Sequence, residues 1–231
     1  MRINKLQAKI PTVIQEQQQL EEAIGQRARR SGLDLPDAGI TGLATHARQV
    51  LKNNERYHLT TITEPEEFIE RHFGESFEGA ALLDPSARGV MFDLGSGNGF
   101  PGLPFHVARP GLDPVLAEVS TRKAAFLTAS CLGAGFNQVQ VLQRQIQRPA
   151  DLPDGMKPNY LLNRAMGGWE KVLPRFAREL GADDRVLLWA GEEVEAISKR
   201  KIWQRFKILN RHQLPGLDQG WIWVLGNAEV V

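Results

Sequence analysis

From residue 90 to residue 190 the sequence alternates short apolar runs with segments of helical periodicity, and this alternation constrains the fold more than any other feature. Such alternation is typical of parallel strands that are covered by helices on both faces. We predict strands at 90–94, 114–119, 138–142, 160–163 and 185–189, with helices at 101–108, 121–132, 169–180 and 192–201. The predicted fold class is α/β, with a mostly parallel, twisted sheet.

The chain after this alternating region is predicted to complete the sheet. Two segments, 205–212 and 221–225, flank the turn-forming segment Pro215-Gly216-Leu217-Asp218. Because strand-forming runs on either side of a short turn commonly pair with each other, we expect a terminal hairpin.

The chain before the sheet is predicted to be helical. Leu20 and Ile24 belong to an amphipathic pattern, begun at positions 6, 10, 13 and 14, that is interrupted near Pro11. A loop at 31–41 and a second helix at 42–53 follow. We therefore divide the chain into an N-terminal helical extension, 1–53, and a sheet domain, 54–231.

Composition narrows the class of protein. With 42% hydrophobic and 24% charged residues, the 231-residue chain is an ordinary globular one. Its formal net charge of +1 favours nucleic-acid binding only through a local basic patch. The single cysteine, Cys131, forms neither an internal disulfide nor a cysteine-based metal site, and no metal is predicted. The polar N-terminus and the lack of a long apolar run predict a cytoplasmic protein without a membrane segment.

A glycine-rich turn follows the first predicted strand and leads into a helix. It reads Asp93-Leu94-Gly95-Ser96-Gly97-Asn98-Gly99-Phe100-Pro101-Gly102. Glycines at 95, 97 and 99 let the backbone turn tightly and leave room for a ligand against the main chain. Their spacing differs from the G-x-G-x-x-G that sets a pyrophosphate on a helix N-terminus, which argues against a dinucleotide.

Two carboxylates at neighbouring strand ends indicate the kind of ligand. Asp93 ends the first strand and can accept from an ammonium group, while Glu118 ends the second and is placed for ribose hydroxyls. Both suit a cationic, ribose-bearing cofactor, and we predict S-adenosylmethionine. The alternative is a purely structural strand-to-helix turn with Glu118 as a solvated carboxylate.

Several short motifs carry a resemblance to a known family. They are Asn54-Glu55-Arg56-Tyr57-His58-Leu59-Thr60, Arg71-His72 with Ser76, the turn from Asp93 with its Phe100-Pro101-Gly102 ending, Arg122-Lys123 with Phe126-Leu127, and Asn163-Arg164-Ala165. From about Leu51 onward the chain resembles the glucose-inhibited division protein B (GidB) family of 16S ribosomal RNA methyltransferases. The resemblance implies a Rossmann-like class I methyltransferase fold and methylation at N7 of a guanine in the small ribosomal subunit.

The resemblance also assigns expected roles to residues. The implied cofactor contacts are Asp93, Gly95, Ser96, Gly97, Gly99, Phe100, Glu118, Val119, Gln145 and Ile146. Arg164 is implied as the catalytic arginine and as a substrate contact. His72 lies in a family motif and is either catalytic or a packed, hydrogen-bonded histidine.

The chain departs from the family pattern at several positions. Ile146-Gln147 replaces an acidic pair after the third strand, and Asn159 replaces an acidic residue before the fourth. Ala190 occupies the position of the family's lysine after the fifth strand. The segment Gly220-Trp221-Ile222-Trp223 lacks the basic residue that the family carries near the last strand. We expect an altered adenine side of the pocket and the loss of two positive contacts to RNA.

Three functions remain open at this point. The first is N7 methylation of a guanine in small-subunit or other structured RNA, which needs no general base because N7 has a lone pair and no proton. The others are a cofactor- and RNA-binding module without catalysis, and a small-molecule methyltransferase.

Two sets of residues are candidate substrate contacts. Lys199, Arg200 and Lys201 are the predicted substrate-binding patch, or else a solvated face. Trp169 or Trp189 would stack on the base, or simply pack.

Overall fold

The structure is a computed structural model that describes the backbone of residues 2–229 and the side chains of residues 15–229. Seven strands form one sheet: β1 Gly89–Leu94, β2 Leu112–Ala117, β3 Gln140–Leu142, β4 Tyr160–Arg164, β5 Arg185–Ala190, β6 Phe206–Gln213 and β7 Trp221–Asn227. Their order is β3-β2-β1-β4-β5-β7-β6. Strands β1 to β5 are parallel, and β7 is antiparallel to both neighbours. The predicted sheet and terminal hairpin are confirmed.

Helices cover both faces of the sheet. They are α1 Arg2–Arg30, α2 Asp37–Tyr57, α3 Pro65–Phe68, α4 Glu75–Ala81, α5 Gly102–Ala108, α6 Thr121–Gly133, α7 Trp169–Val172 and α8 Glu193–Ser198, with a π-helical turn at Ile69–Gly74 between α3 and α4. Neighbouring strand residues Met91 and Phe92 belong to two different buried clusters. Because successive side chains of a strand point to opposite faces, these clusters are the two cores of a three-layer α/β fold.

Three predicted helix limits are wrong, each for a local reason. Helix α1 continues through Pro11 without interruption. Helix α2 begins at Asp37, not residue 42, because Gly39 serves close packing instead of a turn: a Cβ there would lie 2.5 Å from Val107 Cγ1. The helix predicted at 169–180 ends at Val172, and a 3-10 turn containing Pro174 follows. Proline has no N–H to continue the helical ladder.

The helical extension shares a core with the sheet. Ile24 of α1 and Leu43 of α2 are fully buried in the same cluster as Leu103 and Phe105 of α5. The predicted apolar positions 6, 10, 13 and 14 lie outside the described side chains. Helix α2 crosses residue 53, so the domain division there stays a prediction. No helix in the described part of the chain is long and apolar enough to span a membrane.

The parallel strands give the sheet two unlike edges. We call the edge where β1, β2, β3 and β4 end the carboxyl edge, and the edge where they begin the amino edge. The loops that follow Leu94, Ala117, Leu142 and Arg164 therefore meet at the carboxyl edge. Ligands of open α/β sheets bind outside this edge, so the glycine turn lies on the side expected for a cofactor.

Candidate active site

The glycine turn is a tight backbone loop that is bonded to its neighbouring strand. The amides of Gly95 and Ser96 both donate to the carbonyl oxygen of Ala117, at 2.9 and 3.0 Å. Gly95, Gly97 and Gly99 adopt φ values of +81°, +55° and +94°, which side chains with a Cβ rarely adopt. A Cβ on Gly97 would meet only the Gly95 oxygen, 3.9 Å away, so this part of the turn has open space beside it.

Asp93 is a buried carboxylate with one free oxygen. Its Oδ2 accepts from the amide of Gly102 at 3.0 Å, while its Oδ1 has no hydrogen-bond partner among the described residues. Burial raises the pKa of Asp93 to about 6. A buried polar atom without a partner is costly, and a ligand that donates to Oδ1 removes that cost.

Glu118 follows β2 and joins the turn to the next helix. Its Oε2 accepts from the amide of Gly97 at 2.9 Å, and its Oε1 accepts from Ser120 at 2.7 Å. The carboxylate is therefore held against the turn, not solvated as the structural alternative required. Carboxylate oxygens have further lone pairs, so Glu118 retains capacity for a ribose hydroxyl.

Three other predicted cofactor contacts face the protein. Ser96 is buried and its hydroxyl donates to the carbonyl of Asp93. The ring of Phe100 is buried against Phe73, with ring centroids 4.9 Å apart. A Cβ at Gly99 would lie 3.0 Å from His46 Nε2, so close packing as well as its backbone conformation favours glycine here. At these positions only the backbone is available to contact a cofactor.

Arg164 ends β4 inside a cluster that the sequence analysis only partly identified. It donates to the carbonyl oxygen of Arg71 at 2.7 Å, to Nδ1 of His72 at 3.1 Å and to Glu75 Oε2 at 3.4 Å. Burial lowers its pKa, and the Glu75 carboxylate opposes that shift. Ala165, which follows, has a φ of +60°. A non-glycine residue in this conformation is strained, and such strain is often found at functional sites.

His72 positions Arg164 and is neutral. The guanidinium of Arg164 only donates, so His72 Nδ1 accepts and the ring proton is on Nε2, which donates to Thr60 Oγ1 at 2.9 Å. Burial, with the charge of Arg164 second, lowers the pKa of His72 to about 3. Its ring stacks on Phe100 at 4.8 Å. These contacts support the packed, hydrogen-bonded interpretation over the catalytic one.

His46 is a functional candidate that the sequence analysis missed. It lies in α2, and its Nε2 donates to the carbonyl oxygen of Asn98 in the turn at 2.8 Å. Its Nδ1 accepts from the hydroxyl of Ser130 in α6 at 2.7 Å. Complete burial lowers the pKa of His46 to about 4. The helical extension thus braces the turn directly, which no local sequence pattern indicated.

The loop after β3 combines exposed and buried residues at the predicted adenine side. Gln145 is exposed, Ile146 is buried in the core, and Val119 on the adjoining loop is 63% exposed. In place of the absent acidic pair, Asp151 accepts from the amides of Gln147 and Arg148 at 2.9 and 3.1 Å. A carboxylate from further along the chain therefore holds this loop.

Asn159 lies far from the adenine side that it was expected to alter. Its side chain accepts from the amide of Val90 and donates to Asp184, both at 2.9 Å. Val90 and Asp184 adjoin the beginnings of β1 and β5, so the group is at the amino edge. The expectation that Asn159 changes the cofactor pocket is wrong, because strand direction puts it at the other end of the sheet.

Trp189 is packed inside the protein, and the basic patch lies near the amino edge. Trp189 is buried, donates from Nε1 to the Glu75 carbonyl oxygen at 3.1 Å and packs edge-on against Phe105, so it packs and does not stack on a base. Trp169 is half-buried with its ring edge-on to Trp203.

The exposed cluster of Lys199, Arg200 and Lys201 precedes β6. Strand β6 starts at the amino edge, where Phe206 pairs with Asn227. Its substrate role stays a prediction.

Comparison with known proteins identifies the family of this chain. The model of the GidB family, described as rRNA small subunit methyltransferase G, matches residues 40–212. A ribosomal RNA small subunit methyltransferase G of Sorangium cellulosum is 32% identical over 177 residues, covering 75% of this chain and 73% of the relative. One from Solibacter usitatus is 29% identical over 195 residues, covering 79% and 88%.

Solved structures of low identity support the fold alone. A ribosomal protein L11 methylase of Lactobacillus delbrueckii superposes with a TM-score of 0.52 at 12% identity, covering 67% of this chain and 79% of that one.

The family model matches about three quarters of the length of this chain. The matched part contains the glycine turn, the buried Asp93 and the Arg164 cluster. This chain belongs to the GidB family of small-subunit ribosomal RNA methyltransferases.

Proposed function

We propose that this protein transfers a methyl group from S-adenosylmethionine to N7 of a guanine in small-subunit ribosomal RNA. The observation that carries the proposal is the buried Asp93, whose Oδ1 is unpartnered beside an open glycine turn in a chain of the GidB family. An ammonium group is the ligand chemistry that a buried, unpartnered carboxylate oxygen favours.

The residues of the carboxyl edge fit such a cofactor. Asp93 Oδ1 would accept from its ammonium group, Glu118 would accept from its ribose, and the backbone at Gly95 and Gly97 would lie against it. The exposed Val119 and the backbone of Gln145 and Ile146 would meet the adenine. Bound S-adenosylmethionine supplies an electrophilic methyl group.

Positioning is the main catalytic task of the chain. Guanine N7 has a free lone pair, so no side chain needs to remove a proton, and the neutral His72 is no obstacle to this chemistry. Arg164 uses three of its five N–H groups on Arg71, His72 and Glu75. The remaining donors of this fixed guanidinium would orient the acceptor base or its phosphate.

The direct test is transfer of labelled methyl from S-adenosylmethionine to small ribosomal subunits that lack the family's guanine modification, with cofactor affinity measured on the same preparation. Label on guanine N7 is the expected result. Cofactor binding without any label, on these subunits or on total RNA, would instead favour a binding module that has lost catalysis. Label on a small molecule alone would overturn the RNA assignment.

A further inference from the structure

Three cations lie together at the carboxyl edge and have no role in the site described above. Arg56 is in the last turn of α2, and Arg122 and Lys123 are in the first turn of α6. We call these residues the arginine rim. Arg56 and Arg122 are exposed, and within the described part of the chain no ion pair joins a rim residue to a carboxylate.

The two arginines are held in place by one aromatic ring. Their guanidinium carbons lie 5.1 and 5.9 Å from the centroid of Tyr57. Arg122 also donates to the carbonyl oxygen of Arg56 at 2.6 Å. Cation–π contacts and this hydrogen bond order both side chains before any partner arrives, which reduces the entropy lost on binding. Two ordered guanidinium groups without a carboxylate partner favour anions, and phosphate matches their planar donor geometry.

The rim is next to the proposed cofactor site. Arg122 follows Glu118 by four residues, which spans at most about 14 Å even in extended chain. Thr121, the first residue of α6, accepts from Gln143 Nε2 at 2.7 Å, which ties this helix end to the loop after β3. The rim therefore borders the same carboxyl edge as Glu118, whereas β6, which follows Lys199, Arg200 and Lys201, begins at the amino edge.

We propose that the arginine rim binds the phosphate backbone of the RNA whose guanine enters the carboxyl edge. This inference rests on the proposed function and adds the surface that holds the substrate. It also assigns RNA contact to Arg56, Arg122 and Lys123 instead of to the cluster at Lys199, Arg200 and Lys201. Because the rim is exposed, a particle as large as the small ribosomal subunit can reach it. The target guanine itself would enter at the cofactor site.

The test compares two variants with the same loss of charge. One is Arg56→Gln/Arg122→Gln, and the matched control is Lys199→Gln/Lys201→Gln. Binding of each protein to a 16S rRNA transcript is measured between about 50 and 200 mM KCl, where each phosphate contact contributes about 0.7 to 0.9 to the slope of log affinity against log salt. We expect the rim variant to lower that slope by about 1.5 and the control to leave it unchanged.

The same proteins are assayed for S-adenosylmethionine affinity and methyl transfer to small subunits. The rim variant should keep its cofactor affinity and kcat while KM for the subunit rises about tenfold. Equal salt slopes for the rim variant and the wild type, or a lower slope only in the control, would overturn the proposal that the rim binds RNA. The conservative Arg122→Lys should reduce the slope less than Arg122→Gln, which separates charge from packing on Tyr57. Failure of the wild type to transfer methyl is a separate result that overturns the proposed function itself.

Discussion

The two edges of one sheet differ in how each satisfies a buried aspartate. At the amino edge, Asn159 satisfies the amide of Val90 and the carboxylate of Asp184 at once. At the carboxyl edge, Asp93 Oδ1 and Asn163 Oδ1 are buried without partners in the described chain, and Ala165 has a left-handed backbone. Buried Arg109 Nε, just before β2 and thus near the amino edge, also lacks a partner in the described chain, so unpaired atoms alone do not separate the two edges. The carboxyl edge is distinguished by a carboxylate oxygen without a donor beside the glycine turn and by a strained non-glycine residue, both of which cost stability and favour ligand binding.

The largest effect is expected for Asp93. Replacing Asp93 with Ala removes a charged acceptor and should lower S-adenosylmethionine affinity at least about 100-fold, as loss of a buried charge-assisted hydrogen bond does. Because the carboxylate lacks a partner on Oδ1, thermal stability without cofactor should not fall by a comparable amount. Calorimetry and thermal melts on the same samples measure both quantities. Unchanged S-adenosylmethionine affinity would mean that the unpartnered oxygen of Asp93 does not bind the cofactor, and the functional contrast between the two edges would be lost.

Arg164→Ala should reduce methyl transfer about 100-fold and leave cofactor affinity within about threefold, because the guanidinium acts on the acceptor. The matched control is Arg109→Ala, which removes another buried arginine, bonded to the carbonyl oxygen of Leu83. That variant should lose stability and keep its kcat once folded. An equal loss of cofactor affinity and of transfer in Arg164→Ala would make Arg164 a structural residue.

The part of the site that follows from the sequence is the part that lies at strand ends. Asp93, Gly97 and Glu118 follow strand ends in a glycine-rich pattern, so their arrangement could be predicted from strand direction. The brace from His46 could not, since it joins residues 52 positions apart through burial of one helix face. Asn159 was misassigned although its predicted position before the fourth strand, taken with strand direction, already puts it at the amino edge.

A pH dependence of cofactor binding is expected from Asp93 alone. Its pKa is raised to about 6, so the carboxylate that binds an ammonium group is lost as pH falls through 6. Affinity should fall about tenfold per pH unit below 6 and level off above it. His46 and His72 stay neutral there because their pKa values are lowered to about 4 and about 3.

The effect of Asp93 on stability has the opposite sign. Its folded pKa lies above the ordinary 3.8, so the unfolded chain ionises first as pH rises. Asp93 should therefore lower the free energy of unfolding of the cofactor-free protein between about pH 4 and pH 6, whereas His46 and His72, whose pKa values are lowered, raise it over the same interval. Asp93→Asn should abolish the pH dependence of cofactor affinity, and its stability should rise more steeply between about pH 4 and pH 6 than that of the wild type, because only the histidine contribution remains. An affinity profile that survives this substitution, or identical stability profiles, would assign the titration to another group.

His46→Leu should lower S-adenosylmethionine affinity about tenfold, because the Asn98 carbonyl oxygen loses the donor that fixes the turn. The control is His106→Leu, which alters a similarly buried histidine that bonds Gln138 instead of the turn. Both variants should lose some stability, and only the first should change affinity. Equal affinities would reduce His46 to a packing residue and leave the turn independent of the helical extension.

The smallest effect on the cofactor is expected at the amino edge. Asn159→Asp restores the acidic residue of the family pattern, yet it should leave S-adenosylmethionine affinity unchanged because the side chain lies at the other end of the sheet. Stability should fall by about 1 to 3 kcal/mol, since the donor to Asp184 becomes a second carboxylate. Asn159→Asp/Asp184→Asn reverses the polarity of the pair and should recover most of that loss in thermal melts. A change in affinity for either variant would mean that the two edges are coupled through β4, and the contrast between them would no longer hold.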